Sequence, residues 1–74
     1  KKGSYVCHLL ASPGEKMPKK IAEEAAEVLI ALKDKDREQI IYETADLLFH
    51  TLVALSYFDI PYQEILKELK SRRK

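Results

Sequence analysis

Two pairs of acids lie where carboxylates are costly to keep. Glu24 and Glu27 are spaced i, i+3, and so are Glu43 and Asp46. At about 100° per residue each pair forms one strip on a helix, and Glu24 lies beside Val28 on the border of an apolar face. Glu43 and Asp46 fall in a stretch nearly devoid of charge between Glu38 and Asp59, and His50 extends their strip by another turn. Carboxylates withdrawn from water need a partner or a bound cation. Two such helices packed antiparallel would bring four acids to one point. Hard oxygen donors of this kind suit Mg²⁺, with Mn²⁺ as the near alternative. Zinc fits poorly, because Cys7 and His8 belong to no Cys/His spacing motif. A di-iron centre would want Glu-x-x-His pairs. Here Asp46 and His50 are i, i+4, and the first acidic helix has no histidine.

The elements that must carry these acids are helices. Ser4 to Ala11 is a short helical candidate that breaks at the turn cluster Ser12-Pro13-Gly14. Glu15 to Leu32 reads as a helix whose regular part begins near Pro18, with Ile21, Ala25, Val28 and Leu32 as its inward stripe. Lys33-Asp34-Lys35-Asp36 is a polar connector in which Asp34 or Asp36 can cap the next helix. That helix spans about Arg37 to Tyr57 and is apolar almost all round, so it needs cover on several sides. Asp59-Ile60-Pro61 is a break. Tyr62 to about Arg72 is a last amphipathic helix, with Ile65, Leu66 and Leu69 expected inward.

The 74 residues form one domain, and a chain this short buries only about 60% of its unfolded surface. A single cysteine excludes an internal disulfide. Oligomerisation is the remaining way to complete the core. The expected fold is all-α, a small helical bundle completed by dimerisation. Thirteen basic against twelve acidic residues argue against a nucleic-acid partner. No apolar run approaches the ~20 residues that span a bilayer. No secretory signal is visible and the lone thiol suits a reducing compartment, so the expected location is the cytoplasm. The basic end, Lys70 to Lys74, reads as a solvated tail favourable to a helix C-terminus.

Glu23-Glu24-Ala25-Ala26-Glu27 followed by Glu43-Thr44-Ala45-Asp46 resembles the EExxE…ExxD signature of the all-alpha NTP pyrophosphatase superfamily, which includes MazG-like enzymes and dimeric dUTPases. Within it, the chain looks like the phosphoribosyl-ATP pyrophosphohydrolase family. The resemblance rests on Ser4-Tyr5, Leu9-Leu10, Gly14-Glu15-Lys16, Lys19-Lys20, Asp36-Arg37-Glu38 and the run Glu43 to His50. Two features depart from it. Members usually carry a further helical segment before the Ser-Tyr pair, where this chain has Lys1-Lys2-Gly3, so an ordered N-terminal segment is expected to be lacking. Pro18 stands where an aliphatic residue is expected. Neither departure touches the acids.

The resemblance implies hydrolysis of phosphoribosyl-ATP to phosphoribosyl-AMP and pyrophosphate, in a four-helix dimer. The acids suit that chemistry, since Mg²⁺ both neutralises phosphate oxygens and lowers the pKa of water. Glu24, Glu27, Glu43 and Asp46 are assigned as metal ligands. Glu23 points more than a quarter-turn from Glu24 and is assigned to orient water or substrate. Lys16, Lys19 and Lys20 are candidate phosphate contacts as point charges, and Lys20 is the best placed, one turn before Glu24. His50 is a candidate for substrate or for a hydrogen bond to a carboxylate. Blander roles compete with each assignment: solvated lysines, a core histidine, an exposed glutamate face paired with Lys16 and Lys20. Tyr5 has base stacking and core packing open to it. Two other functions compete with the whole reading, a house-cleaning nucleoside-triphosphate pyrophosphatase and a non-catalytic helical dimerisation module.

Overall fold

The computed structural model describes residues 13–73, with side chains from Lys16 onward. Three helices follow one another: α1 Pro13–Asp34, α2 Arg37–Tyr57 and α3 Tyr62–Ser71. The described residues are all-α. The expected helix from Ser4 to Ala11, with Tyr5, Cys7 and His8, lies outside them.

Helix α1 starts earlier than its sequence suggests. Pro13 and Gly14 belong to the helix rather than to a turn, and Pro18 lies inside it. Proline suits a first turn, where a missing N–H costs nothing. Pro18 comes one turn later and removes only the bond to the Gly14 carbonyl. At the other end the chain closes with a Schellman motif. Lys35 N–H donates to the Leu32 carbonyl at 3.1 Å and Asp36 N–H to that of Ala31 at 3.4 Å, with Lys35 left-handed at φ 57°. Only Lys35 and Asp36 separate the helices. Asp36 then caps α2, its Oδ1 accepting from Gln39 N–H at 3.3 Å. Helix α2 ends in the same way. Asp59 N–H donates to Ser56, Ile60 N–H donates to Leu55, and Asp59 sits at φ 58°.

Helices α1 and α2 pack against each other along their length, and α3 touches them little. The buried stripe of α1 is Met17, Glu24 and Ala31, one residue in every seven, with Ile21 and Val28 half-buried at its edge. Ala25 and Leu32, expected inward, are exposed, as are Ile65, Leu66 and Leu69 of α3. For Ala25 and Leu32 the cause is a second apolar stripe, which each long helix carries. Pro18, Ala22, Ala25, Leu29 and Leu32 form it on α1, and Ile41, Ala45, Leu48, Leu52 and Leu55 on α2. In an antiparallel pair both stripes fall on one side of the hairpin, away from the seam. Only Leu55 of the ten is even half-buried.

The exposed area is 6197 Å².

Candidate metal and phosphate site

The two-residue connector sets the register of the hairpin. Residues equidistant from it lie level, so Glu24 stands opposite Leu47, between Glu43 and Asp46 on one side and His50 on the other. The face that α2 turns to α1 is Ile40, Glu43, Leu47, His50 and Ala54, which alternates by three and four residues as a helix seam must. Two of those five positions are polar.

Burial is distributed differently from the sequence expectation. Glu24, from the acidic cluster that looked more like a surface face, is buried at 6% exposure, while Glu43 and Asp46 are only half-buried. Glu24 lies at the centre of the α1 stripe, whereas Glu43 and Asp46 sit toward the open edge of the seam. Glu27 and Glu23 are exposed, with Glu23 about 100° round the helix from Glu24.

Glu24 Oε2 pairs with Lys20 Nζ at 3.2 Å, while Glu24 Oε1 is buried and has no hydrogen-bond partner among the described residues. A buried carboxylate oxygen left without a donor is expensive. The acids also act on one another. Lost hydration raises the Glu43 carboxyl above its ordinary pKa, and repulsion from Glu27, Glu24 and Asp46 raises it further. That repulsion places all four acids in one electrostatic neighbourhood.

His50, at 3% exposure, is the only buried residue of α2. Its Nδ1 lies 2.8 Å from the Asp46 main-chain carbonyl and 3.7 Å from Asp46 Oδ1. The first distance is a hydrogen bond and the second is too long for one. The next residue behaves alike, Thr51 Oγ1 donating to the Leu47 carbonyl at 2.9 Å. One potential ligand atom each from Glu24, Asp46 and His50 lie within 4.8 Å of one another. Among the candidate phosphate contacts, Lys20 sits against this cluster and Lys16 is half-buried, whereas Lys19 is exposed on another face of α1. The sequence had picked out every side chain gathered here. What it misjudged was which of them would be buried.

A helical hairpin holding acids and an imidazole in its seam defines a class, the all-α domains that build polar sites between facing helices. The family model for phosphoribosyl-ATP pyrophosphohydrolase matches residues 1–73, and the chain belongs to that family. A phosphoribosyl-ATP pyrophosphatase of Nitrosomonas eutropha is 59% identical over 69 residues, covering 93% of this chain and 59% of the relative. One from Methanococcoides burtonii is 52% identical over 73 residues, covering 96% and 74%. The histidine biosynthesis bifunctional protein HisIE of Pyrococcus furiosus is 54% identical over 72 residues, covering 97% of this chain and 33% of that protein. The chain thus spans less than two thirds of the Nitrosomonas relative, and a third of the bifunctional one. No solved structure matches it.

Proposed function

We propose that this chain hydrolyses phosphoribosyl-ATP to phosphoribosyl-AMP and pyrophosphate, the second step of histidine biosynthesis. Its family membership supports the reaction class and substrate. The observation that carries the reading is Glu24. One of its oxygens is held by Lys20, the other is buried without a donor, and neighbouring acids repel one another around it. Such a donor set fits a hard divalent cation, Mg²⁺ first and Mn²⁺ next. Glu24, Glu27, Glu43 and Asp46 would hold it. Bound there, the ion would neutralise phosphate charge and make water more acidic.

The remaining side chains divide the other tasks. Glu23, exposed beside the cluster, orients water or substrate. Lys20 fixes the Glu24 carboxylate, and with Lys16 it meets the phosphates as a point charge. The reading includes a homodimer. Its interface would cover apolar surface that a single protomer leaves exposed. The two outward apolar stripes are the surfaces that would supply it. A lone cysteine is at home in a reducing cytoplasm, where we place the protein. No helix among the described residues is long and apolar enough to cross a membrane.

Pyrophosphate release from phosphoribosyl-ATP, measured beside ATP, dCTP and dUTP, tests the proposal. Phosphoribosyl-ATP should be preferred, with activity removed by a chelator and restored by Mg²⁺. A preference for dCTP or dUTP would assign a house-cleaning role instead. No release from any of them would leave a helical dimerisation module.

A further inference from the structure

We infer that residues 4–11, ahead of α1, fold back over the acid-bearing edge of the seam and bring the Tyr5 hydroxyl to the substrate phosphates. The Tyr5 contact rests on the hydrolase reading above, whereas the packing of the segment does not.

The two edges of the hairpin are covered unequally. Lys16, Asp46 and Val53 each precede a seam residue (Met17, Leu47 and Ala54) and so point about 100° away from it, toward the acid edge. All three are half-buried. Pro18, Leu32 and Leu48 follow Met17, Ala31 and Leu47 and point equally far toward the other edge, yet all three are exposed. Residue type would favour the reverse, since lysine and aspartate keep to water and leucine does not. Helix α3 is not the cover. It stands across the groove from Leu48, Leu52 and Leu55, on the apolar side. His50, the one buried residue of α2, belongs to the covered edge. Lys16, Lys20, Phe49 and His50, on that side, each take part in a further interaction.

The limits of the cover match the segment. Glu23 and Ile30 precede Glu24 and Ala31 in the same way, and both are exposed. Cover on α1 therefore ends just past Lys20, about 10 Å from the start of the helix at Pro13. Eight residues of helix span about 12 Å. Apart from Ser4, His8 and the Tyr5 hydroxyl the segment is apolar, so covering the edge also shelters its own surface. A turn at Ala11 and Ser12, as short as Lys35-Asp36, would set Tyr5 level with Pro18 and Val53. Its side chain would then lean toward the segment's own N-terminus, and so toward Lys20. A phenol O–H beside Lys16 and Lys20 donates to the same phosphate oxygens that they attract.

Nuclear Overhauser spectra of the full chain, without metal or substrate, should place the Tyr5 ring protons against the Val53 methyls. Absence of that contact would overturn the fold-back. A contact seen only between differently labelled chains of a mixed dimer would give the edge to a second copy, and would overturn it too. Tyr5→Phe keeps the ring and removes the hydroxyl. It should retain the Val53 contact, leave Mn²⁺ affinity within about twofold and raise KM for phosphoribosyl-ATP about tenfold. Unchanged kinetics with the contact intact would reduce Tyr5 to packing and overturn its role. If the wild type releases no pyrophosphate, the hydrolase reading falls together with the Tyr5 role, while the Val53 contact still decides the fold-back.

Discussion

Helices α1 and α2 face each other along a seam that contains Glu24, Glu43 and His50, whereas α3 lays Ile65, Leu66 and Leu69 over a groove it does not fill. That groove, a cavity of 460 Å³ with Leu48, Leu52 and Leu55 on its other wall, is lined almost wholly by apolar side chains. Within the hairpin, Glu24 and His50 are buried by the protomer itself. Around α3 the surfaces are more apolar, yet Leu66 remains 52% exposed. Hydrophobicity alone would have buried the second region before the first. On the proposed reading the hairpin seam serves the cation site, and the exposed apolar faces serve the homodimer.

The sharpest way to break the comparison is through the seam. Glu43→Gln and Asp46→Asn should each lower turnover at least ~100-fold, the scale for losing one preorganised electrostatic group. Helix content should be retained, and Glu38→Gln, exposed on the same helix, should stay near full activity. Folded Glu43→Gln protein with near-normal pyrophosphate release would remove the basis for the site.

The apolar side should respond in the opposite sense. Leu66→Asp places a charge in the α3 groove and should shift sedimentation from dimer to monomer, with a lower melting temperature. An unchanged dimer would mean that α3 takes no part in assembly. Mg²⁺ should stabilise the wild-type protein by about 2.7 kcal/mol when present at 100 times its dissociation constant. A melting curve indifferent to Mg²⁺ would contradict the clustered site.

Acidity should separate the regions more gently. The raised pKa of Glu43 means that the folded protein binds its proton more tightly than the unfolded chain does. Metal-free stability should therefore be greatest below the ordinary glutamate value and fall as pH rises through the folded one. Mg²⁺ affinity should rise over that same interval, because ligands must be deprotonated. Urea midpoints between about pH 4 and 8 would report the first trend, and Glu43→Gln should flatten it. The smallest effect lies at the connector. Lys35 holds φ 57°, which glycine adopts without penalty, so Lys35→Gly should stabilise by about 1 kcal/mol. A destabilised variant would show that the Lys35 side chain contributes contacts of its own.

Much of the hairpin was legible in advance because local signals agree there. Of the two candidate caps, Asp34 and Asp36, it is Asp36 that caps α2, and α2 and α3 begin where the polar residues and Pro61 permit. The acid spacing announced the cluster for the same reason, since i, i+3 positions share a face whatever the helix packs against. Burial was less legible. Helix α1 carries two apolar stripes, and periodicity records both without saying which one meets α2. Ile21, Ala25, Val28 and Leu32 straddle them, so that choice mixed an inner edge with an outer face. Glu24 was hidden by the same ambiguity. Its burial depends on the rotation of α1 about its axis, which only packing decides. Nor does any local rule mark Pro18 as interior, since a proline tolerated near a helix start leaves the start itself open by several residues.

The two-residue connector between α1 and α2 has a consequence for how such a chain can vary. It acts as a ruler, because Glu24 lies eleven residues before Lys35 and Asp46 lies ten after Asp36. One residue inserted on either arm would slide the acids by about 1.5 Å and swing them about 100° round the helix, dispersing the cluster. An insertion beside Asp59 leaves both arms intact. Length changes should therefore be tolerated in the loop leading to α3 and excluded between Glu24 and Asp46. Chains lengthened at each place, compared by Mn²⁺ titration and circular dichroism, would show whether cation binding is lost at one and kept at the other.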